Sequence, residues 1–474
     1  MINGTDYEYI GRYKCPLLYY RLVHQWVNHK DAARYSIDSG TEGRSLFLDG
    51  HMFVNKNDWE TMRNKTASAI TGEDSVFFKE FYSFGNAEIE RVSLISDQLA
   101  STDSIDPDLL AEFFSALQDM QFPWMLTLPI GDAMESTIKS LSGNGRISPE
   151  SARQFFEPER PTLLIEQRRE LNLLRQQLEQ SGLLETLITS TPTEALEAIR
   201  EKDFELYHSI REHAKRFEWF GMMHMWGTPF NEESLIKEII SLKEKPPSPE
   251  KTTQLPPDLE WLNQQSRKMT YLRNTFAETC AIASHKSLPS IERAASLLGL
   301  TLEETRHLTP EEFLDGLKGN AIPSKDVLHD RMDAFGLILL DGKSAVMTGQ
   351  ELHNQVGQLL PQGSPETLTG TCASPGVARG RVKLVFSPKD MNKVEKGDIV
   401  VAPETTPDLL PIFHKASGII TDMGGLTGHA AIVSREFGLP CIVGTRNATR
   451  VLKDNEIIEL DATNGAIKRS GSES

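Results

Sequence analysis

Apolar positions recur along this chain with two periods, and the period changes from one region to the next. From about residue 106 to 318 the spacing is helical: Leu164, Leu171, Leu174 and Leu178 form one stripe that stops at Gly182. Helix starts are written in the same region. Thr191 as N-cap, Pro192 at the first helical position and Glu194 two residues later make a capping box, and the pattern returns at Thr301 with Glu304 and at Thr309-Pro310-Glu311-Glu312. Two short hairpins flank the helical region. Ser45–Leu48 and His51–Val54 meet at Asp49-Gly50, and Leu337–Leu340 and Ala345–Met347 meet at Asp341-Gly342, a dipeptide that supplies the positive φ angles of a tight turn. A short helix starts at Thr348 and Glu351 and ends near Leu360. After it the pattern becomes short β-branched runs, Val382–Phe386, Ile399–Ala402, Gly418–Thr421, Cys441–Val443 and Ile457–Leu460, with one clear helix from Ala430 to Phe437.

Two proline-rich stretches punctuate the pattern. Lys245-Pro246-Pro247-Ser248-Pro249 and Pro256-Pro257 exclude helix and mark a loop or sub-boundary near 245–257, while Pro361-Gln362-Gly363-Ser364-Pro365-Glu366 reads as a linker. The expected organisation is therefore a mainly helical domain over 1–360, a linker over 361–367 and a smaller domain over 368–474. The fold class is multidomain, α plus α/β.

Charge and composition narrow the function. The chain has 474 residues and a formal net charge of −17. From Glu366 onward thirteen basic residues balance thirteen acidic ones, so the whole negative excess lies in the larger part. That argues against nucleic acid or an anionic membrane as partner. The four cysteines, Cys15, Cys280, Cys372 and Cys441, lack metal-site or disulfide spacing, and Cys441 reads as a small buried apolar residue. The N-terminus carries no leader pattern and no run is long enough to span a bilayer, so a cytoplasmic protein that binds no metal is expected.

The candidate chemistry lies in Thr421-Asp422-Met423-Gly424-Gly425-Leu426-Thr427-Gly428-His429-Ala430-Ala431. A buried strand ends in Ile419-Ile420, the glycines form a tight loop, and His429 falls in the first turn of the next helix. Glycines let backbone approach an anion, and a helix start favours negative charge. A neutral imidazole there can attack phosphorus and hold the group as a phosphoramidate. Gly424, Gly425 and Gly428 would offer backbone donors, and Thr427 a cap or a phosphate contact. Arg435, six residues on, falls on a different face from His429, and an ion pair with Asp422 or Glu436 is expected for it.

The run from Ser374 to Gly465 resembles the mobile, phosphohistidine-bearing domain of the phosphoenolpyruvate-utilising enzymes. The resemblance rests on Ser374-Pro375-Gly376-Val377-Ala378-x-Gly380, Thr405-Thr406-Pro407-Asp408, the Gly-Gly-x-Thr-x-His-Ala-Ala core, and Arg435-Glu436-x-Gly438-x-Pro440-Cys441-x-Val443-Gly444. Gly428 departs from it, since the family usually carries a small polar side chain there. The resemblance implies a β/β/α domain that swivels on its linker, with Thr405 and Thr406 on a loop that approaches His429. The helical region resembles the substrate-side middle domain of rifampin phosphotransferase, through Phe217-Glu218-Trp219-Phe220, Tyr271-Leu272-Arg273, Leu308–Glu312 and the hairpin ending at Thr348-Gly349. Within it Trp219, Trp226, Arg273 and His224 are candidates to line an acceptor pocket, with His224 as base.

No segment resembles the ATP-grasp domain or the phosphoenolpyruvate barrel of the family. The expectation is therefore an acceptor-plus-carrier subunit that binds no cofactor itself, served by an ATP-grasp protein in trans holding ATP and Mg²⁺ and passing phosphate to a small-molecule acceptor. The alternative expectation is a non-catalytic binding or regulatory protein that retains the swivelling fold.

Overall fold

The computed structural model describes residues 7–12, 17–19, 45–222, 228–241, 255–340, 343–359, 368–386, 388–405, 409–426 and 429–469. The helices used below are, in chain order, α1 (Lys56–Thr71), α2 (Ser75–Ala100), α3 (Pro107–Gly143), α4 (Leu163–Gln180), α5 (Pro192–Lys202), α6 (Phe204–Arg216), α7 (Glu232–Ser241), α8 (Glu260–Leu297) and α9 (His429–Phe437). The chain forms two compact units. The first takes the described residues up to Arg160 and those from 255 to 359; the second takes 161–222, 228–241 and 368–469.

In the first unit, side chains on facing helices fix the packing of α2, α3 and α8. Arg91 on α2 pairs with Asp119 on α3 at 2.6 Å, and Phe84 meets Phe122 with ring centroids 6.1 Å apart. Phe78 meets Trp261 edge-on at 5.6 Å, Lys286 pairs with Asp97, and Trp124 stacks on Phe276. The helix starts follow the side-chain chemistry: Asp74 and Asp106 each accept two backbone N–H groups at the N-termini of α2 and α3. The anticipated boxes at Thr301 and Thr309 are present, each with its partner glutamate reaching back to the cap N–H.

Both hairpins form, and they share one sheet. Strands β1 (Tyr7–Arg12), β2 (Ser45–Leu48), β3 (His51–Asn55), β4 (Gly336–Leu340) and β5 (Lys343–Met347) run in the order β1-β3-β2-β4-β5, all antiparallel. Asp49 and Gly50 take φ of 48° and 80°, as the turn requires. The second turn, 341–342, lies outside the described residues, as do the linker 361–367 and most of the proline-rich stretch; Pro257–Leu259 forms a 3-10 turn that leads into α8.

The second unit contains a helical layer and a sheet domain. Leu171, Leu174 and Leu178 on α4 are buried, as their spacing predicts, together with Ile199, Leu206, Ile210, Leu235 and Ile239 from the other helices. Thr191 and Glu194 close the capping box at the start of α5. The sheet domain has eight strands: β6 (Leu368–Thr369), β7 (Thr371–Ser374), β8 (Val377–Leu384), β9 (Ile399–Ala402), β10 (Gly418–Thr421), β11 (Cys441–Val443), β12 (Ile457–Asp461) and β13 (Ala466–Arg469). Their order is β6-β13-β12-β8-β9-β10-β11-β7, with β8 through β11 parallel. β6 and β7, parted only by Gly370, stand at opposite ends of that order, so the sheet rolls round on itself.

β8 begins five residues before the predicted strand and stops short of its end. Arg379-Gly380-Arg381 hides the period, yet these residues pair with β12. Short helices at Leu410–Phe413 and Ala448–Val451 join the one helix expected there. Ile399, Val401, Ile420 and Ile442 pack on one side of the parallel strands. Val400, Ile419, Cys441 and Val443 pack on the other, under Ala430, Ala431, Val433 and Phe437 of α9. Cys441 is fully buried, and that burial pushes its thiol up to about 12, as expected of a packing residue rather than a reactive one.

Candidate active site

β10 delivers the chain into the glycine loop, and a set of buried hydrogen bonds fixes its exit. Thr421, the last strand residue, donates its hydroxyl to the Met423 carbonyl at 2.5 Å. Asp422 follows, buried, with its N–H on the Ala402 carbonyl at 3.1 Å and its own carbonyl taken by the Arg446 N–H at 2.8 Å. The Asp422 carboxylate accepts from the Thr445 hydroxyl at 3.3 Å, the Thr449 N–H at 3.0 Å and the Thr449 hydroxyl. Burial raises the Asp422 carboxyl above its ordinary range, and these three donors oppose the shift. The loop therefore leaves the sheet from a braced root. Gly424 comes next, exposed and at φ 95°, a conformation that an L side chain would strain.

The far end of the loop is held by Arg435. Its Nη2 donates to the Leu426 carbonyl at 2.9 Å and its Nη1 to the Ala373 carbonyl on β7 at 3.2 Å. Of the two ion pairs expected for Arg435, the one with Asp422 is not what this geometry shows, because Thr445 and Thr449 occupy that carboxylate; the Glu436 side chain lies outside the described residues. Those two threonines carry no mark in the sequence. Their role depends on a turn after β11 that brings residues more than twenty positions downstream against the loop root. Gly438 takes φ 61° and closes α9 with its N–H on the Arg435 carbonyl.

His429 opens α9, the position the sequence predicts for it. Ala430 and Ala431 behind it are buried, seating the first turn against the sheet. Gly425 is half-buried beside Gly424, and Thr405 is buried after β9. Thr427, Gly428 and Thr406 lie outside the described residues, as do His224 and Trp226. Trp219 is buried in the second unit, on the 3-10 turn Glu218–Gly221, among Phe217 and Phe220. Arg273 lies on α8 in the first unit, where its Nη1 approaches Gly131 of α3.

Residues 394–465 match the family model described as PEP-utilising enzyme, mobile domain. The matched segment takes in β9, the glycine loop, α9 and β11. The C-terminal segment is thus similar to the mobile domain of PEP-utilising enzymes. Among curated proteins, the chain is 54% identical over 98 residues to a probable phosphoenolpyruvate synthase of Methanothermobacter thermautotrophicus, covering 21% of this chain and 14% of that one. It is 48% identical over 100 residues to the phosphoenolpyruvate synthase of Pyrococcus furiosus, covering 21% and 12%. With the rifampicin phosphotransferase of Bacillus cereus it shares 33% identity over 176 residues, 35% of this chain and 19% of that protein. That last alignment is longer than the stretch from 368 to the end of the chain, so it reaches upstream of the C-terminal sheet domain. The aligned residues span less than a fifth of these relatives' length.

Proposed function

We propose that the chain is a phosphotransferase subunit that carries a phosphoryl group on His429. The observation that supports this most directly is the placement of His429 at the first position of α9, after a glycine loop braced at both ends, inside the segment that matches the mobile domain. Such a helix start favours a dianionic group through its unpaired N–H donors and dipole. In phosphoryl transfer most of the protein's work is positioning and charge stabilisation. Gly424, Gly425 and Gly428 supply backbone donors to the phosphoryl oxygens, and Thr405, Thr406 and Thr427 complete the shell. The phosphoryl group comes from a cytoplasmic ATP-grasp protein that holds ATP and Mg²⁺, and it passes to a small organic acceptor bound by the helical region. The upstream reach of the likeness to rifampicin phosphotransferase supports that division of labour.

The test is to incubate the full chain with radiolabelled ATP and candidate ATP-grasp proteins. Acid-labile, alkali-stable label that disappears in His429→Ala is expected. Gly428 favours a second reading, a non-catalytic binding protein that keeps the swivelling fold. Absence of label with every donor, together with cellular function that survives His429→Ala, would establish that reading in place of the first.

A further inference from the structure

The second unit holds another histidine in a setting that suits acid–base work. His213 stands in the last turn of α6 and is 4% exposed. Its Nδ1 lies 3.1 Å from Oε2 of Glu170 on α4. A carboxylate can only accept, so the ring hydrogen sits on Nδ1 and a lone pair is left on Nε2. Nε2 is buried and has no hydrogen-bond partner among the described residues. An imidazole kept only for packing generally uses both nitrogens or exposes one, since a buried acceptor left unmatched costs about 1–3 kcal/mol.

The surroundings favour the neutral ring and so leave that lone pair unprotonated. Arg216, one turn beyond His213, binds the same Glu170 carboxylate and also Glu166 at 2.8 Å. Glu170 can thus orient the ring while Arg216 offsets much of its field. Burial, and then the Arg216 charge, lower the His213 pKa against the pull of Glu170, so the ring is neutral at physiological pH. The ring lies 4.8 Å from that of Phe217, which adjoins Trp219 at 6.1 Å; Trp219 meets Phe220 and Phe220 meets Phe230.

We propose that His213 is the base that deprotonates a hydroxyl-bearing acceptor with an aromatic or compact apolar body, and that Glu170 is its positioning residue. This rests on the phosphotransfer reading. As the acceptor oxygen attacks phosphorus, Nε2 of His213 takes the hydroxyl proton. The new P–O bond forms while the P–N bond of phospho-His429 breaks, its electron pair returning to the His429 ring. A proton returns to that ring through solvent as His213 releases its own, and both imidazoles end neutral.

The experiment charges the full chain with phosphoramidate, which needs no partner protein, and then adds phenol or benzyl alcohol as acceptor. His213→Asn keeps a side-chain amide to donate to Glu170 and removes only the Nε2 function. It should form phospho-His429 within about twofold of wild type yet pass phosphate to the alcohol at least ~100-fold more slowly, the usual range for a lost general base. Transfer within about threefold of wild type would overturn the proposal. If wild type takes up phosphate on His429 neither from phosphoramidate nor from any ATP-grasp donor, the phosphotransfer reading fails by itself. In that case, or if neither alcohol is phosphorylated, ¹⁵N spectra of the imidazoles decide. A saturable movement of the His213 Nε2 resonance on adding phenol supports the site, and an unmoved resonance sinks it.

Discussion

A single guanidinium ties the glycine loop to the sheet. Arg435 ties Leu426, three residues before His429, to Ala373 on β7 through two charge-assisted hydrogen bonds. Lysine brings a point charge in place of a fork and cannot hold both carbonyls in this geometry. Arg435→Lys should leave the far-ultraviolet dichroism unchanged and slow phosphate uptake on His429 by about tenfold or more, because misplacement of a reacting group by an ångström can cost far more than that. An uptake rate equal to wild type would show that the loop needs no such tie. The helix that carries Arg435 was legible in the sequence. Its partners were not, since main-chain carbonyls leave no trace in residue identity and the β7 contact spans more than sixty positions.

At the scale of elements, the local rules fared best where one short segment settles the matter. Thr191, Thr301 and Thr309 all cap as written, because a capping box needs only four residues. Strand limits fared worse. β8 hides its period behind Arg379-Gly380-Arg381, and its extent is set by pairing with β12, which no local pattern contains. Interior charge was equally out of reach. Glu238 on α7 is buried against α4, with Gln167 Nε2 donating to it at 3.1 Å and Arg168 at 3.8 Å. Burial pushes its carboxyl up to about 7, against the smaller pulls of Arg168 and Gln167. The folded chain therefore keeps a proton that the unfolded chain releases near its ordinary carboxyl value. Stability should fall as pH rises from about 4.5 to about 7, by roughly 3 kcal/mol from this group, and level off above. Glu238→Gln should remove that component and raise the melting temperature at pH 8 more than at pH 5, read by calorimetry at both. Equal shifts at the two pH values would mean that Glu238 ionises as freely when folded as when unfolded.

At the scale of the whole molecule, the sequence divides the chain by composition whereas folding divides it by contact. The two hairpins are nearly three hundred residues apart, yet β2 pairs with β4 and makes them one sheet. Likewise residues 161–222 and 228–241 cluster with the C-terminal sheet domain in the second unit, although by period alone they continue the helical run. Within that unit Arg168 lies over the Phe437 ring at 5.4 Å, and His414 meets the same ring edge-on at 4.6 Å. The C-terminal turn of α9 is thus seated on α4, at the other end of the helix that His429 opens. A cation over a partly desolvated ring contributes about 0.5–2 kcal/mol, and Arg168 also offsets the charge of Glu238. Arg168→Ala should speed amide exchange in the last turn of α9 and along α7 while leaving α2 and α3 of the first unit unchanged. The loss should be larger at pH 8, where Glu238 is ionised, than at pH 5, and in a Glu238→Gln background the pH dependence should vanish. Exchange that is unaltered in α9 would mean that the sheet domain is held by other contacts, and that Arg168 serves Glu238 alone.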